Sequence, residues 1–249
     1  MSARVTKCVA VLAFLLLISF ANAQTLPPGT ALPVMLRNTL DARRDKAGKT
    51  ITARLMQNVI LSDGVVLRTG ARITGQVVST MPATRGAASR IVVKFDQIST
   101  GKHQISITAH LRALASPNAV FEAQLPTNAI DDYGTSTSDW NTVQIGGAGV
   151  YRGSGQVMDG GTVIGKTTDY GAVTARLLAV PPLGCRASER EQALWLFSPS
   201  ACAVYGYDDL RIVHRRDASP SGEVELESQH DVHIGAGSGW LLRTDQAPN

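Results

Sequence analysis

The chain has 249 residues, 44% hydrophobic and 18% charged, a balance that excludes disorder by composition and suffices for one large β domain or two small ones. Aromatics make up only 5% and glycines number 23, so frequent turns and short strands are expected. The formal net charge of +4 hides a split: residues 24–115 carry 13 Lys and Arg against 4 Asp and Glu, while residues 116–249 carry 9 against 16. Opposite signs in the two halves predict either docking of one half on the other or a polyanion partner for the first.

In chain order, Arg4 and Lys7 precede an apolar run over residues 8–20 and then Ala21-Asn22-Ala23. A basic start, a short apolar stretch and a small-x-small site are the parts of a secretory leader, with cleavage expected after Ala23. The run is too short for the roughly 18 to 20 residues of a spanning helix, and no later stretch reaches that length. The expectation is an exported chain, periplasmic or extracellular, without a transmembrane span. Cys8 leaves with the leader, so Cys185 and Cys202 remain. In an oxidising compartment the two are expected to form a disulfide. Two buried free thiols are the alternative, and a metal site lacks any CxxC or spaced Cys/His set.

Residues 50–55 alternate, with Ile51, Ala53 and Leu55 on one face and Thr52 and Arg54 on the other, the two-residue period of a half-buried strand. Residues 56–61 and 65–67 flank a turn at Ser62-Asp63-Gly64, and Thr69-Gly70 introduces a strand over 71–78. Strands over 90–98 and 104–111 flank a polar turn and read as a hairpin with Ile105, Ile107, Ala109 and Leu111 inward. Residues 81–89 have no period and read as a mobile loop. Residues 116–141, rich in Pro, Asn, Asp, Ser and Thr, fall where the charge changes sign and mark the expected connecting loop between modules. The glycines between 146 and 165 serve turns and bulges between short strands. Beyond them, residues 193–198, 203–207, 210–214, 223–227, 232–234 and 240–243 read as strands, and Ser188-Glu189-Arg190-Glu191 is a capping-box pattern for one helical turn.

Six stretches of the first half follow one another in a telling order. They are Leu26-Pro27-Pro28-Gly29-Thr30-Ala31-Leu32-Pro33-Val34-Met35-Leu36, residues 48–59, Asp63-Gly64, Gly70-Ala71-Arg72-Ile73-Thr74-Gly75-Gln76-Val77, residues 89–95 and residues 101–107. Over about residues 26–112 this resembles the β-barrel domain of the TrbI-like conjugal-transfer family, part of the envelope-spanning core of type IV secretion systems. The resemblance implies a series of hairpins whose glycines meet tight-turn geometry, hence a partly closed barrel. The second half is similar to uncharacterised exported bacterial proteins, which implies no activity.

Neither Ser154 nor Ser238 has glycines two before and two after it, so no hydrolase elbow is present. The glycines at 146–153 do not space as a nucleotide loop. His230-Asp231-Val232-His233 is the one tight His/Asp cluster, but on a strand His230 and His233 point to opposite faces, so one metal does not take both imidazoles unless a turn intervenes. Asp131-Asp132 and Asp208-Asp209 could supply paired carboxylates, although turns alone account for them. Tyr133 and Trp140, in the polar connecting segment, are the candidate exposed binding rings, while Trp195 and Trp240 sit among apolar neighbours. Arg43, Arg44, Lys46 and Lys49 are the densest basic stretch and the candidate polyanion contact.

The expected fold is all-β: a basic module over 24–115, a connecting loop over 116–141 and an acidic, Gly-rich module with a disulfide over 142–249. The expected function is that of an exported, non-enzymatic, envelope-associated protein without a cofactor, whose partner is another envelope protein or an acidic surface polymer. The alternatives are a polyanion- or polysaccharide-binding module, and a hydrolase of glycoside type using Asp131, Asp132 or His230.

Overall fold

A computed structural model of the chain describes residues 26–61, 65–101, 103–124, 142–146, 149–152, 156–159, 162–167, 173–176, 191–193, 196–198, 201–213 and 222–245. The secretory leader expected over residues 1–23, Asp131, Asp132, Tyr133, Trp140, Cys185 and the capping box at 188–190 lie outside the described residues.

The first strands are β1 (Ala31–Leu36), β2 (Leu40–Asp41), β3 (Thr50–Leu55), β4 (Val59–Ile60), β5 (Val66–Leu67), β6 (Arg72–Met81), β7 (Ser89–Thr100), β8 (His103–Ser106) and β9 (Ala109–Ala115). A short helix α1 (Pro117–Ala123) follows. Next come β10 (Thr142–Val143), β11 (Gly149–Arg152), β12 (Gln156–Asp159), β13 (Thr162–Thr167), β14 (Val173–Arg176) and β15 (Glu191–Ala193). The chain ends with β16 (Val204–Tyr205), β17 (Arg211–Val213), β18 (Glu223–Ser228), β19 (His233–Ile234) and β20 (Gly239–Thr244).

The largest sheet runs β16-β9-β20-β1-β3-β6-β7-β18-β17, with β8 paired to the last residues of β7, and it is nearly closed and barrel-like. β8 runs on into β9, and the Ile107 amide donates to the Asp96 carbonyl at 2.9 Å, so the sheet curls back toward its own far end. β20 lies between β1 and β9: Trp240 stands opposite Val34 on one side and Leu114 on the other. β18 pairs with the first half of β7 from Ser89 to Lys94. This corrects the expected division at 116–141. Strands from both sides of that segment share one sheet, while β10 to β15 form a separate antiparallel meander. The physical reason is that β1, β9 and β20 are edges only if left apart; pairing satisfies their backbone groups and buries their apolar side chains.

The alternation read over β3 holds, with Ile51, Ala53 and Leu55 buried, and so do the inward positions Ile105, Ile107, Ala109 and Leu111. They meet in one core whose centre is an edge-to-face contact between Phe95 and Trp240, ring centroids 5.5 Å apart. Such a pair adds about 1 kcal/mol to the burial of each ring. β1, β9 and β20 do not alternate because they are covered on both faces. Outside them, Val120 of α1 packs with Ile145, Phe197, Ala113 and Leu241 in a second cluster. A strand buried on two sides reads as a continuous apolar run.

Helix α1 falls inside the stretch expected to be a connecting loop. Ser116 caps it, its hydroxyl accepting from the Ala119 amide at 3.2 Å, and Pro117 follows at the first helical position. The mobile loop expected over 81–89 is also corrected. Thr84 and Ala87 exchange amide bonds of 3.0 and 3.1 Å across a turn at Gly86, which extends the β6–β7 hairpin.

Candidate functional site

The outer surface of the barrel is zoned by charge, and the zones follow from register. In antiparallel strands, residues directly opposite share a face and their side chains meet. β18 carries Glu223, Glu225 and Glu227 at alternate positions, and these fall opposite Lys94, Val92 and Arg90 of β7. Arg90 Nε donates to Glu227 at 2.8 Å and its Nη1 lies 3.6 Å from Glu225; Arg211 of β17 pairs with Glu227 from the other side. The Arg211 hydrogen bond, outweighing burial and helped by Arg90, holds the Glu227 carboxyl below its ordinary pKa. Part of the charge split is therefore spent inside one sheet, as cross-strand pairs between the basic and acidic halves.

The candidate basic stretch follows β2 on a turn organised by Asp41. Its carboxylate accepts from the Arg43 and Arg44 amides at 2.9 and 3.2 Å. Burial opposes the Asp41 carboxylate, but those two amides, with His233 and the Arg44 charge, outweigh it and lower the pKa. Of the four candidate cations, Arg43 pairs with Asp231, and Lys49 Nζ bonds Asp45 at 2.6 Å and the Thr39 carbonyl at 2.8 Å. Arg44 Nε lies 3.7 Å from Asp41, and Lys46 is exposed. The stretch is thus dense in cations yet largely matched by carboxylates in the fold.

The His/Asp cluster is distributed rather than convergent. His230 Nδ1 lies 2.9 Å from Asp209, Asp231 binds Arg43 and accepts from the Ala83 amide at 2.8 Å, and His233 Nδ1 is 3.5 Å from Asp41. Val232 between them is buried in the core. No group of three His, Cys, Asp or Glu able to hold a metal occurs among the described residues.

Ser228, Asp209 and His230 do come together, in an arrangement unlike a nucleophile relay. Asp209 Oδ2 accepts from the Ser228 hydroxyl at 2.7 Å, the His230 amide at 3.1 Å and the His230 ring. The Ser228 bond first, then the His230 bond, hold the Asp209 carboxyl down to about 2. A relay needs the imidazole between serine and carboxylate, whereas here the carboxylate is central and Ser228 is buried. The set locks the end of β18 to the turn before β17. Cys202 is nearly buried beside Tyr205, whose hydroxyl accepts from the Cys202 amide at 3.1 Å.

One grouping was missed by sequence reasoning. Arg54 of β3 and Arg72 of β6 are direct cross-strand partners, both exposed. The exposed Arg37 follows β1, where its amide donates to the Thr52 carbonyl at 2.8 Å, and Arg68 is exposed on the turn before β6. Alternation places Arg54 outward, but the register that sets it against Arg72 is not written in either strand alone.

A scan against protein-family models finds no match, and a search of curated proteins finds no relative of this chain.

Proposed function

We propose that the chain is an exported, non-enzymatic, envelope-associated β protein that makes protein or surface contacts. The observation that carries the reading is the division of labour on the barrel. Its centre is filled by side chains around Phe95 and Trp240, its described Ser/His/Asp set is tied up in structural bonds, and a cationic outer face is left exposed. Such a molecule offers surface rather than a reacting centre. The leader-like residues 1–23 support export, and the resemblance of residues 26–112 to TrbI-like barrels supports a neighbour in an envelope assembly. A Cys185–Cys202 disulfide belongs to the same proposal, since it suits an oxidising compartment.

The test is fractionation of the tagged, full-length protein made in a Gram-negative host. The reading expects a mature mass starting at Gln24 and co-sedimentation with the envelope. Recovery wholly in the cytoplasm with Met1 retained would overturn it, as would turnover on a glycoside panel that His230→Ala abolishes.

A further inference from the structure

We propose that the outer face of β3 and β6, built on Arg54 and Arg72 with Arg37 and Arg68 beside them, binds a carboxylated polysaccharide. Like charges directly opposite in a sheet are destabilising, and Arg54 and Arg72 are placed so that their Cβ atoms stand about 5 Å apart. Toward the β17 edge of the same sheet the protein matches its cations with acids: Arg90 meets Glu225 and Glu227, Arg211 meets Glu227, and Lys94 stands opposite Glu223. Between β3 and β6, in the middle of the sheet, it does not. Among the described residues Arg37, Arg54, Arg68 and Arg72 make no ion pair, and the one side-chain bond in the set runs from Arg54 Nη1 to the Gly70 carbonyl at 3.2 Å. The one carboxylate that β1, β3 and β6 to β8 carry is Asp96, at the β7 bulge. A local cost retained without internal compensation is where a function is expected.

The chemistry of the face selects the ligand. Arg37 lies level with Thr52, so it is a diagonal neighbour of Arg54, and Arg54 stands opposite Arg72. The cations therefore form a row across three strands, about 5 Å from Arg72 to Arg54 and about 7 to 8 Å on the diagonal to Arg37. Guanidinium forks match carboxylates in pairs of parallel hydrogen bonds, so the row fits a linear polymer with repeated carboxylates. Thr74, paired with Thr52 beside the arginines, offers a hydroxyl to sugar hydroxyls, while the Thr52 hydroxyl donates to Asn38 Oδ1 at 3.3 Å. Single-stranded nucleic acid would call for stacking rings, and β3 and β6 carry no aromatic residue.

The inference deepens the surface-contact reading and rests on it. The experiment measures binding of the full mature chain to polygalacturonate at low salt by titration calorimetry. Arg54→Gln with Arg72→Gln should weaken binding by about tenfold or more while the melting temperature holds or rises, because the like-charge opposition is gone. Arg44→Gln with Lys46→Gln, in the basic stretch after β2, should change binding by less than about twofold. Arg72→Lys keeps the charge and removes the fork, and should weaken binding measurably; full affinity in that variant overturns the carboxylate-fork account. No binding by the wild type, equal loss in the Arg44/Lys46 variant, or preference for poly(A) or phosphatidylglycerol vesicles also overturns the inference. A protein that sediments with the envelope yet ignores polygalacturonate defeats this inference alone, whereas failure to sediment defeats the broader reading.

Discussion

At Asp209 a Ser, a His and an Asp meet without the order of a nucleophile relay. Three donors converge on one carboxylate oxygen, and its pKa falls to about 2 from an ordinary 3.8. A depressed folded pKa means that the stabilisation is present above the unfolded value and is lost as pH falls through about 2. Asp209→Asn should therefore lower stability by about 1 kcal/mol at neutral pH, a modest figure because the side chain is about a third exposed and solvent screens it. Urea unfolding at pH 7 and near pH 2 checks this: the gap between wild type and variant should narrow in acid, where the carboxyl becomes half protonated, and an undiminished gap there contradicts the assignment. At Cys202 the expectation is a disulfide to Cys185. Non-reducing peptide mapping should show one linked peptide, and reduction should cost about 2 to 4 kcal/mol; thiol labelling of both residues in native exported protein would reject the pairing.

Elements depend on a few positions where backbone meets backbone. Gly75 sits on β6 opposite the β7 bulge at Asp96, and a Cβ there would lie 2.0 Å from the Lys94 carbonyl oxygen and 2.8 Å from the Phe95 Cα. Neither atom belongs to a side chain that can swing away. Gly75→Ala should cost about 3 kcal/mol through overpacking of the β6–β7 pair, read as a lowered denaturation midpoint; a neutral result would mean that the bulge is placed wrongly. Inside the same hairpin, Phe95→Ala removes the ring packed on Trp240 and should cost about 4 kcal/mol. The elements themselves were partly legible in the sequence. β3 alternates strictly and was readable residue by residue, because one of its faces is solvated. β1 was legible only through its place in the family-like pattern, since a strand buried on both faces loses its period. α1 was hidden by the polar composition around it, although Ser116-Pro117 is a cap and first-turn pair.

At the scale of the whole molecule the sequence announces an all-β chain and a charge split, but not how the halves meet. Local patterns carry periodicity; they do not carry which strands pair across the length of the chain. That is why the boundary at 116–141 looked like a domain border, and why the arginine row on β3 and β6 was invisible until register set Arg54 against Arg72. It is also why the basic stretch at Arg43, Arg44, Lys46 and Lys49 looked more available than it is, because Asp231 comes to Arg43 from far along the chain. The central claim is that strands from both ends of the chain form one barrel-like unit, with β20 between β1 and β9 and β18 beside β7. Native-state hydrogen exchange on the intact protein tests it most directly. The account predicts that the slowest amides of β1, β9, β18 and β20 open together, at one free energy within about 0.5 kcal/mol and equal to that of global unfolding. Release of β18 and β20 in a separate, cheaper opening that leaves β1 to β9 protected would contradict it.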